Sequence, residues 1–373
     1  MDVQREIDEA LGEYQSSRIG RREFLRRLGA VGVTSAMAGT LLAPMMQARA
    51  QEGRAGGTFV EGYDRDFNPL DPIRSPWADP GLNAVYEPLV VRDPGSGAIV
   101  PFLALSFAAS DTAWRFQIPQ DRSFQSGAAV DTEAVRKAVK LMTTPQEGQN
   151  ASFYSAVTDV TAEGDDLVIS LGSLKQGLGE VLATEYAYIP NIDRRAEVGP
   201  GTFGAQEADG TGPFVLKQYT TGAKVRVERW AEYPGQGAPF FENKGPARLD
   251  AIEWVPILEP AQRAAEIETG SVHAVKNPAA PDVARLKANA DLVVLEFPES
   301  SNFFLLPSVK RKDIGFDDAR VRRALGHAID REGIVAAILG GGAQPTYGPA
   351  SSGWKYYEPK VEAFNQFDPD KSV

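Results

Sequence analysis

The chain holds two histidines, His273 and His327, and no cysteine. Those residue types do most of the metal ligation and much of the nucleophilic and acid–base chemistry of proteins. Without a thiol, disulfides, cysteine-ligated zinc, iron–sulfur clusters, thiol catalysis and a lipid-modified cysteine anchor are excluded. The two histidines are far apart in sequence, which argues against a histidine metal cluster or proton relay. Adjacent carboxylates occur at Asp64-Arg65-Asp66, Asp165-Asp166 and Asp317-Asp318. A general acid and base could be paired in this way, but polar loops and helix caps account for such pairs. No G-x-S-x-G elbow and no P-loop is present. "GTGPF" at 210–214 lacks the downstream Lys-Ser/Thr of a phosphate loop, so its glycines read as a turn. No catalytic residue, metal site or cofactor is expected, and the chain is not read as an enzyme. The net charge of −11 argues against a nucleic-acid partner, which needs a basic surface.

The first fifty residues read as an address. In "SRIGRREFLRRLGAVGVTSAMAGTLLAPMMQARAQ", Arg21 and Arg22 precede Phe24 and Leu25, and a mild apolar run extends from Leu28 to Met46. Glycine, serine and threonine keep that run weakly hydrophobic. Ala48-Arg49-Ala50 has the small-x-small form of a cleavage site. The stretch resembles a twin-arginine export signal, with Gly20 where Ser or Thr is usual. An uncleaved anchor and an ordinary Sec signal are the rival readings, and all three place the remainder outside the cytoplasm. The expectation is a periplasmic protein, cleaved near Ala50, with the twin-arginine translocase as a transient partner.

Periodicity supplies the elements of the remaining chain. "TAWRFQIP" (112–119) and "DDLVISLG" (165–172) alternate as half-buried strands. "GTFVEGY" opens with a strand, "LDAIEWVPI" (249–257) is another, and 210–230 forms two strands joined at Thr221-Gly222. "DLVVLEF" (291–297) reads as a buried strand. Asp131 caps a helix whose face is Val135, Ala138, Val139 and Met142. A helix over 259–270 stops at Gly270. Residues 316–342 give two helices. Val321, Ala324, Leu325, Ala328 and Ile329 face one way on the first, and the second starts near Asp330 and stops at the triple glycine. The class is α/β, with strands and helices interleaved.

Several of these segments carry a resemblance. "DTAWRFQIPQDRSFQSGAAVDTEAVRKAVKLM", "GTGPFVLKQYTTGAKVRVERWAEYPG" and "FDDARVRRALGHAIDREGIVAAILGGGAQPTYGP" look like three blocks of the family 5 extracellular solute-binding proteins. These are the peptide-, dipeptide- and nickel-binding receptors of ABC importers. "NAVYEPLV" and "AAEIETGSVHAV" add weaker matches, in the family's order, so the likeness covers nearly all of 56–373. His273 departs from the family's usual Asp, and Leu306-Pro307-Ser308 replaces a stretch that usually contains Asn.

The resemblance implies a two-lobed periplasmic binding protein fold, type II-like, with an extra inserted domain. The first lobe would comprise 51–85 and 210–295, the inserted domain 86–209, and the second lobe would start at 296. A peptide-like small solute would bind between the lobes and pass to the ABC permease subunits, with the receptor acting as a monomer. By position, the implied ligand residues are Trp77, Asp79, Phe153, Tyr154, Lys276, Asn277, Phe303 and Phe304. Plain packing for the phenylalanines and a solvated charge for Lys276 stand as the alternatives. An exported enzyme, or a sensor or adaptor on the same fold, is the competing function. The end of the chain, "FDPDKSV", announces a helix through Asp368 and Pro369. The resemblance implies further chain after it, so 296–373 is expected to be a truncated second lobe, poor in strands.

Overall fold

The computed structural model describes residues 55–76, 79–172, 177–235, 238–296, 302–352 and 357–373. The export signal and Trp77 lie outside them. The described residues up to Asn277 form one compact unit, and those from Pro278 onward form a second. Residues 278–295, assigned from the sequence to the first lobe, thus fall in the second unit.

The first unit has two cores. One lies around a five-stranded mixed sheet built from β1 (Thr58–Tyr63), β8 (Phe214–Thr220), β9 (Lys224–Arg229), β10 (Ala251–Pro256) and β11 (Ala274–Val275), in the order β11-β1-β10-β9-β8. β1 runs parallel to both β10 and β11, while β9 is antiparallel to β10 and β8. Tyr63, Phe67, Leu70, Val85, Tyr86, Phe203, Val227 and Trp254 are buried together in this core. Helix α1 (Pro80–Val85) packs against β8 and β9. The hairpin between β8 and β9 turns at Gly222, which takes a φ of 69° that glycine adopts without steric cost.

The second core belongs to an antiparallel sheet of β4 (Ser106–Ala109), β5 (Ala113–Gln117), β7 (Asp166–Leu171) and β6 (Val157–Glu163), in that spatial order. Trp114, Phe116 and Ile118 alternate as read from the sequence. Phe116 and Ile118 are buried, and Trp114 stacks on Phe107. Helix α2 (Thr132–Met142) covers the sheet with Val135, Ala138, Val139 and Met142. Asp131 caps it by accepting from the Ala134 N–H at 2.8 Å, which satisfies one of the free donors of a first turn. A small hairpin of β2 (Val90–Arg92) and β3 (Ile99–Pro101) and two short helices, α3 (Leu178–Leu182) and α4 (Ile192–Val198), complete this part.

The glycines of "GTGPF" differ from their sequence reading. Neither Gly210 nor Gly212 has a positive φ. Gly212 donates to the Val85 carbonyl at 2.9 Å, and a Cβ on Gly210 would lie 2.2 Å from that same oxygen. Close approach of two backbones, not a turn, is what excludes a side chain there.

Helix α5 (Pro260–Thr269) connects β10 to β11 and ends at Gly270, φ 75°. In the second unit, α6 (Ala280–Ala288) is a helix for which the sequence reading made no provision. Helix α7 (Ala319–Ala328) is capped by Asp318, and α8 (Arg331–Ala337) by Asp330. None of the side chains of α7 is fully buried, so its apolar face is only half covered. "DLVVLEF" corrects the reading made from its composition. Residues 291–296 join no sheet, with Val293 and Leu295 exposed. An apolar run becomes a strand only where a neighbouring backbone accepts its hydrogen bonds. Among the described residues, the second unit contains no strand. The helix announced by Asp368 is a single 3-10 turn, Pro369–Ser372, and His327 and Gln366 tie it to the end of α7.

Candidate functional site

Three parallel strands, β11, β1 and β10, end at the same edge of the mixed sheet. In α/β sheets the space beyond the carboxyl ends of such strands is where ligands bind, because loops diverge there and leave a crevice. The polar side chains of this edge come from β1 and the loop after it, from β10, and from the two residues that follow β11.

Along β1, Phe59, Glu61 and Tyr63 share one face. Glu61 stands in register with Trp254 of β10, and the indole N–H of Trp254 donates to Glu61 Oε2 at 2.9 Å. Partial burial raises the pKa of Glu61 above the ordinary carboxylate value. The Trp254 bond and the nearby Lys276 charge pull it back, and Asp64 adds to the rise. Below this edge lie Tyr63 stacked on Phe67, with ring centroids 4.8 Å apart, and Phe67 tilted against Trp254 at 6.4 Å. The floor is therefore aromatic and buried, and the rim is charged. The Arg65 guanidinium sits 5.3 Å over the Tyr63 ring, a cation–π arrangement.

The Asp64-Arg65-Asp66 triplet leaves β1 in three directions. Asp64 accepts from Asn277 Nδ2 at 2.6 Å. Arg65 pairs with Asp79 at 3.1 Å. Asp66 accepts from the Gly222 N–H of the β8–β9 turn, at 3.0 Å to each oxygen. His273 is occupied differently. Its main-chain N–H donates to the Val60 carbonyl, its Nδ1 accepts from the Val60 N–H at 2.9 Å, and its ring stacks on Phe59. The residue thus acts as a backbone substitute along the edge of β1.

The residues implied by resemblance fall into four places. Asp79 is buried at the N-terminus of α1, its carboxylate taken by Arg65 and by the Asn68 main-chain N–H and side-chain amide. Lys276 and Asn277 lie exposed at the exit of β11, on the rim itself. Phe153 and Tyr154 lie apart from them, with the antiparallel sheet. Tyr154 is buried, packs in that core and donates its hydroxyl to the Tyr186 carbonyl at 2.7 Å, so its contacts are those of a packing residue. Phe153 is partly exposed and tilts against the Tyr186 ring. Phe303 and Phe304 belong to the second unit, and both are exposed. Trp77 is not among the described residues.

Glu61 and Trp254 were not singled out from the sequence, and Asp64 only as one of the paired carboxylates of the 64–66 triplet. The signal for Glu61 and Trp254 was their alternation within "TFVEGY" and "AIEWVP", but nothing local says that those strands are neighbours. Among the described residues no group of three or more histidine, aspartate or glutamate side chains is arranged to hold a metal ion.

The chain is 24% identical over 342 residues to the glutathione-binding protein GsiB of Pectobacterium atrosepticum, covering 89% of this chain and 61% of that protein. It is 23% identical to the di/tripeptide-binding protein 2 of Pseudomonas aeruginosa, covering 84% of this chain and 61% of that one. The chain thus spans about three fifths of the length of these relatives. Among solved structures, the oligopeptide-binding protein AppA of Bacillus subtilis, in complex with a nonapeptide, superposes with a TM-score of 0.73 at 21% identity, over 86% of this chain and 63% of that one. The fold is that of the periplasmic binding proteins. The sequence model of the bacterial extracellular solute-binding proteins, family 5 Middle, matches residues 98–373, and the chain belongs to that family.

Proposed function

We propose that this chain is the extracytoplasmic solute receptor of an ABC importer, and that its first unit contributes the rim of Glu61, Asp64, Lys276 and Asn277 to the solute site. The observation that carries the reading is the position of that rim. In a chain of a solute-binding family, charged and amide groups of both signs converge at the carboxyl ends of parallel strands, over the aromatic floor of Tyr63, Phe67 and Trp254. A zwitterionic, peptide-like solute needs such a mixed-charge rim, where acceptors take an ammonium and a lysine takes a carboxylate. Phe153, Phe303 and Phe304 are proposed as apolar contacts for the solute's side chains. The solute is held and released unchanged, then delivered to the permease subunits, by a monomeric receptor in the periplasm. The division into a discontinuous first lobe, an inserted domain over 86–209 and a second lobe belongs to the same proposal. Two separate cores within the first unit support it.

Calorimetry and native mass spectrometry with glutathione and a panel of di- and tripeptides test the reading. One intact solute per chain is expected, with binding weakened at least tenfold in Lys276→Ala. Release of cleaved product at turnover would reject it in favour of an enzyme. Export by the twin-arginine route is proposed from Arg21 and Arg22. Changing both to Lys should leave the precursor unprocessed in the cytoplasm, and unaltered processing would point to Sec.

A further inference from the structure

Among the described residues, Asn277 is the one non-glycine position with a positive φ, 51°. Side chains other than glycine rarely enter that region, asparagine being among the most tolerant. The next residue is Pro278, which steers the residue before it toward extended backbone. Two local preferences are therefore overridden at one residue. Such an outlier persists where surrounding contacts over-determine it.

The contacts are explicit. The Asn277 carbonyl accepts from Arg263 Nη2 at 2.6 Å and from Arg263 Nε at 3.2 Å. The Asn277 side chain donates to Asp64. Arg263, on α5, is 3% exposed. Its Nη1 donates to the carbonyls of Ile257 at 2.6 Å and Leu258 at 3.0 Å. One planar, pre-organised fork therefore joins the end of β10 to the chain leaving β11, and Asp64 ties the same point to the end of β1. Asn277 is also the last residue of the first compact unit, and Pro278 the first of the second.

We propose that Arg263 and Asn277 are positioning residues that lock the exit of β11. They hold Lys276 in a preset place on the rim, and any turning of the chain between the two units begins after Asn277. Hinge motion is absorbed by a few residues at the ends of elements, and a clamp of this kind decides which of them stay fixed. The role of Lys276 rests on the receptor reading, but the clamp does not.

The test uses the full chain with no solute added, so a failure to bind solute leaves its outcome untouched. Trypsin cuts after Lys276 only when that segment leaves its clamp, so native-state proteolysis at this bond reports local opening. Amide exchange over 271–279 reports the same event. In Arg263→Met, cleavage after Lys276 should rise by on the order of tenfold, and exchange over 274–277 should rise with it, while β8 and β9 keep their protection. Arg263→Lys should recover part of the loss, since an ammonium reaches one or two of the carbonyls. Asn277→Gly keeps the carbonyl and the positive φ but loses Asp64, and should open less than Arg263→Met. Unchanged cleavage in a folded Arg263→Met protein overturns the proposal, and so does an equal rise of exchange across β8 and β9. If Arg263→Met does not fold, Arg263→Lys and Asn277→Gly decide, and wild-type cleavage in both overturns it.

Discussion

Glu87 sits between the two cores of the first unit, 3% exposed, with the Tyr233 hydroxyl donating to Oε1. Burial pushes its carboxyl from 4.5 up to about 7, against the pull of the Tyr233 bond and the Arg122 charge. The folded protein therefore holds this proton more tightly than the unfolded chain does between about pH 4.5 and pH 7. Over that window the unfolded state binds fewer protons, so stability falls as pH rises. The contribution is fully present below pH 4.5 and is lost by the time pH passes 7. Each pH unit inside the window is worth about 1.4 kcal/mol, which gives about 3 kcal/mol in all. Glu87→Gln keeps the shape and cannot ionise. Urea unfolding of both proteins from pH 4 to pH 8, read by tryptophan fluorescence and taken as the shift of the transition that reports the first unit, isolates the effect because other titrating groups cancel in the difference. The variant should match the wild type near pH 4 and exceed it by about 3 kcal/mol at pH 8. Parallel pH profiles for the two proteins would refute the argument, since an ionised Glu87 would then carry no penalty in the fold.

Three further outcomes follow from particular contacts. Asp71 and Arg195 form a buried pair at 2.9 Å, so Arg195→Met should cost about 3–5 kcal/mol by stranding a carboxylate, and adding Asp71→Asn should recover much of that in urea unfolding. Gly210→Ala places a methyl against the Val85 carbonyl and should cost about 3 kcal/mol, measured as the loss of denaturation midpoint. A midpoint equal to the wild type would mean the two backbones are free to separate. Trp254→Phe removes the indole donor from Glu61, so the Glu61 pKa should move further up in a carboxyl NMR titration, with about 1–3 kcal/mol of stability lost.

Much of the fold was legible because its signals are local. Asp131, Gly222 and Gly270 each act within a few residues of themselves, and each does in the structure what its chemistry dictates. Alternation in 112–119 and 165–172 likewise needs only one buried face. "DLVVLEF" failed because hydrophobicity says nothing about whether a backbone partner is present. Helix α6 escaped notice because Leu286 is its one buried residue, so no apolar stripe announces it. The candidate site was the least legible part. Tyr154 and Phe153 attract notice as adjacent aromatics, yet an aromatic that closes a core has the same sequence as one that meets a solute. Glu61 and Trp254 form a contact across 193 positions, and only strand register creates it.

The Asp64-Arg65-Asp66 triplet shows how such distant segments come to share one edge. Consecutive residues after a strand diverge, so three neighbours can reach three separate parts of the chain. Asp64 reaches the exit of β11, Arg65 the start of α1, and Asp66 the turn between β8 and β9. Asp79 is buried, so its charge needs the Arg65 partner that the loop supplies. Asp66 fixes a hairpin turn whose strands carry Phe214 and Val227 into the core. Polar residues that look like ordinary loop solvation in the sequence are therefore the fasteners that bring β1, β8–β9, β11 and α1 into register. Asp64 is both one of these fasteners and a charged group beside Lys276 and Asn277. A substitution in this triplet should therefore loosen the exit of β11, the start of α1 or the β8–β9 turn, according to which of the three is changed.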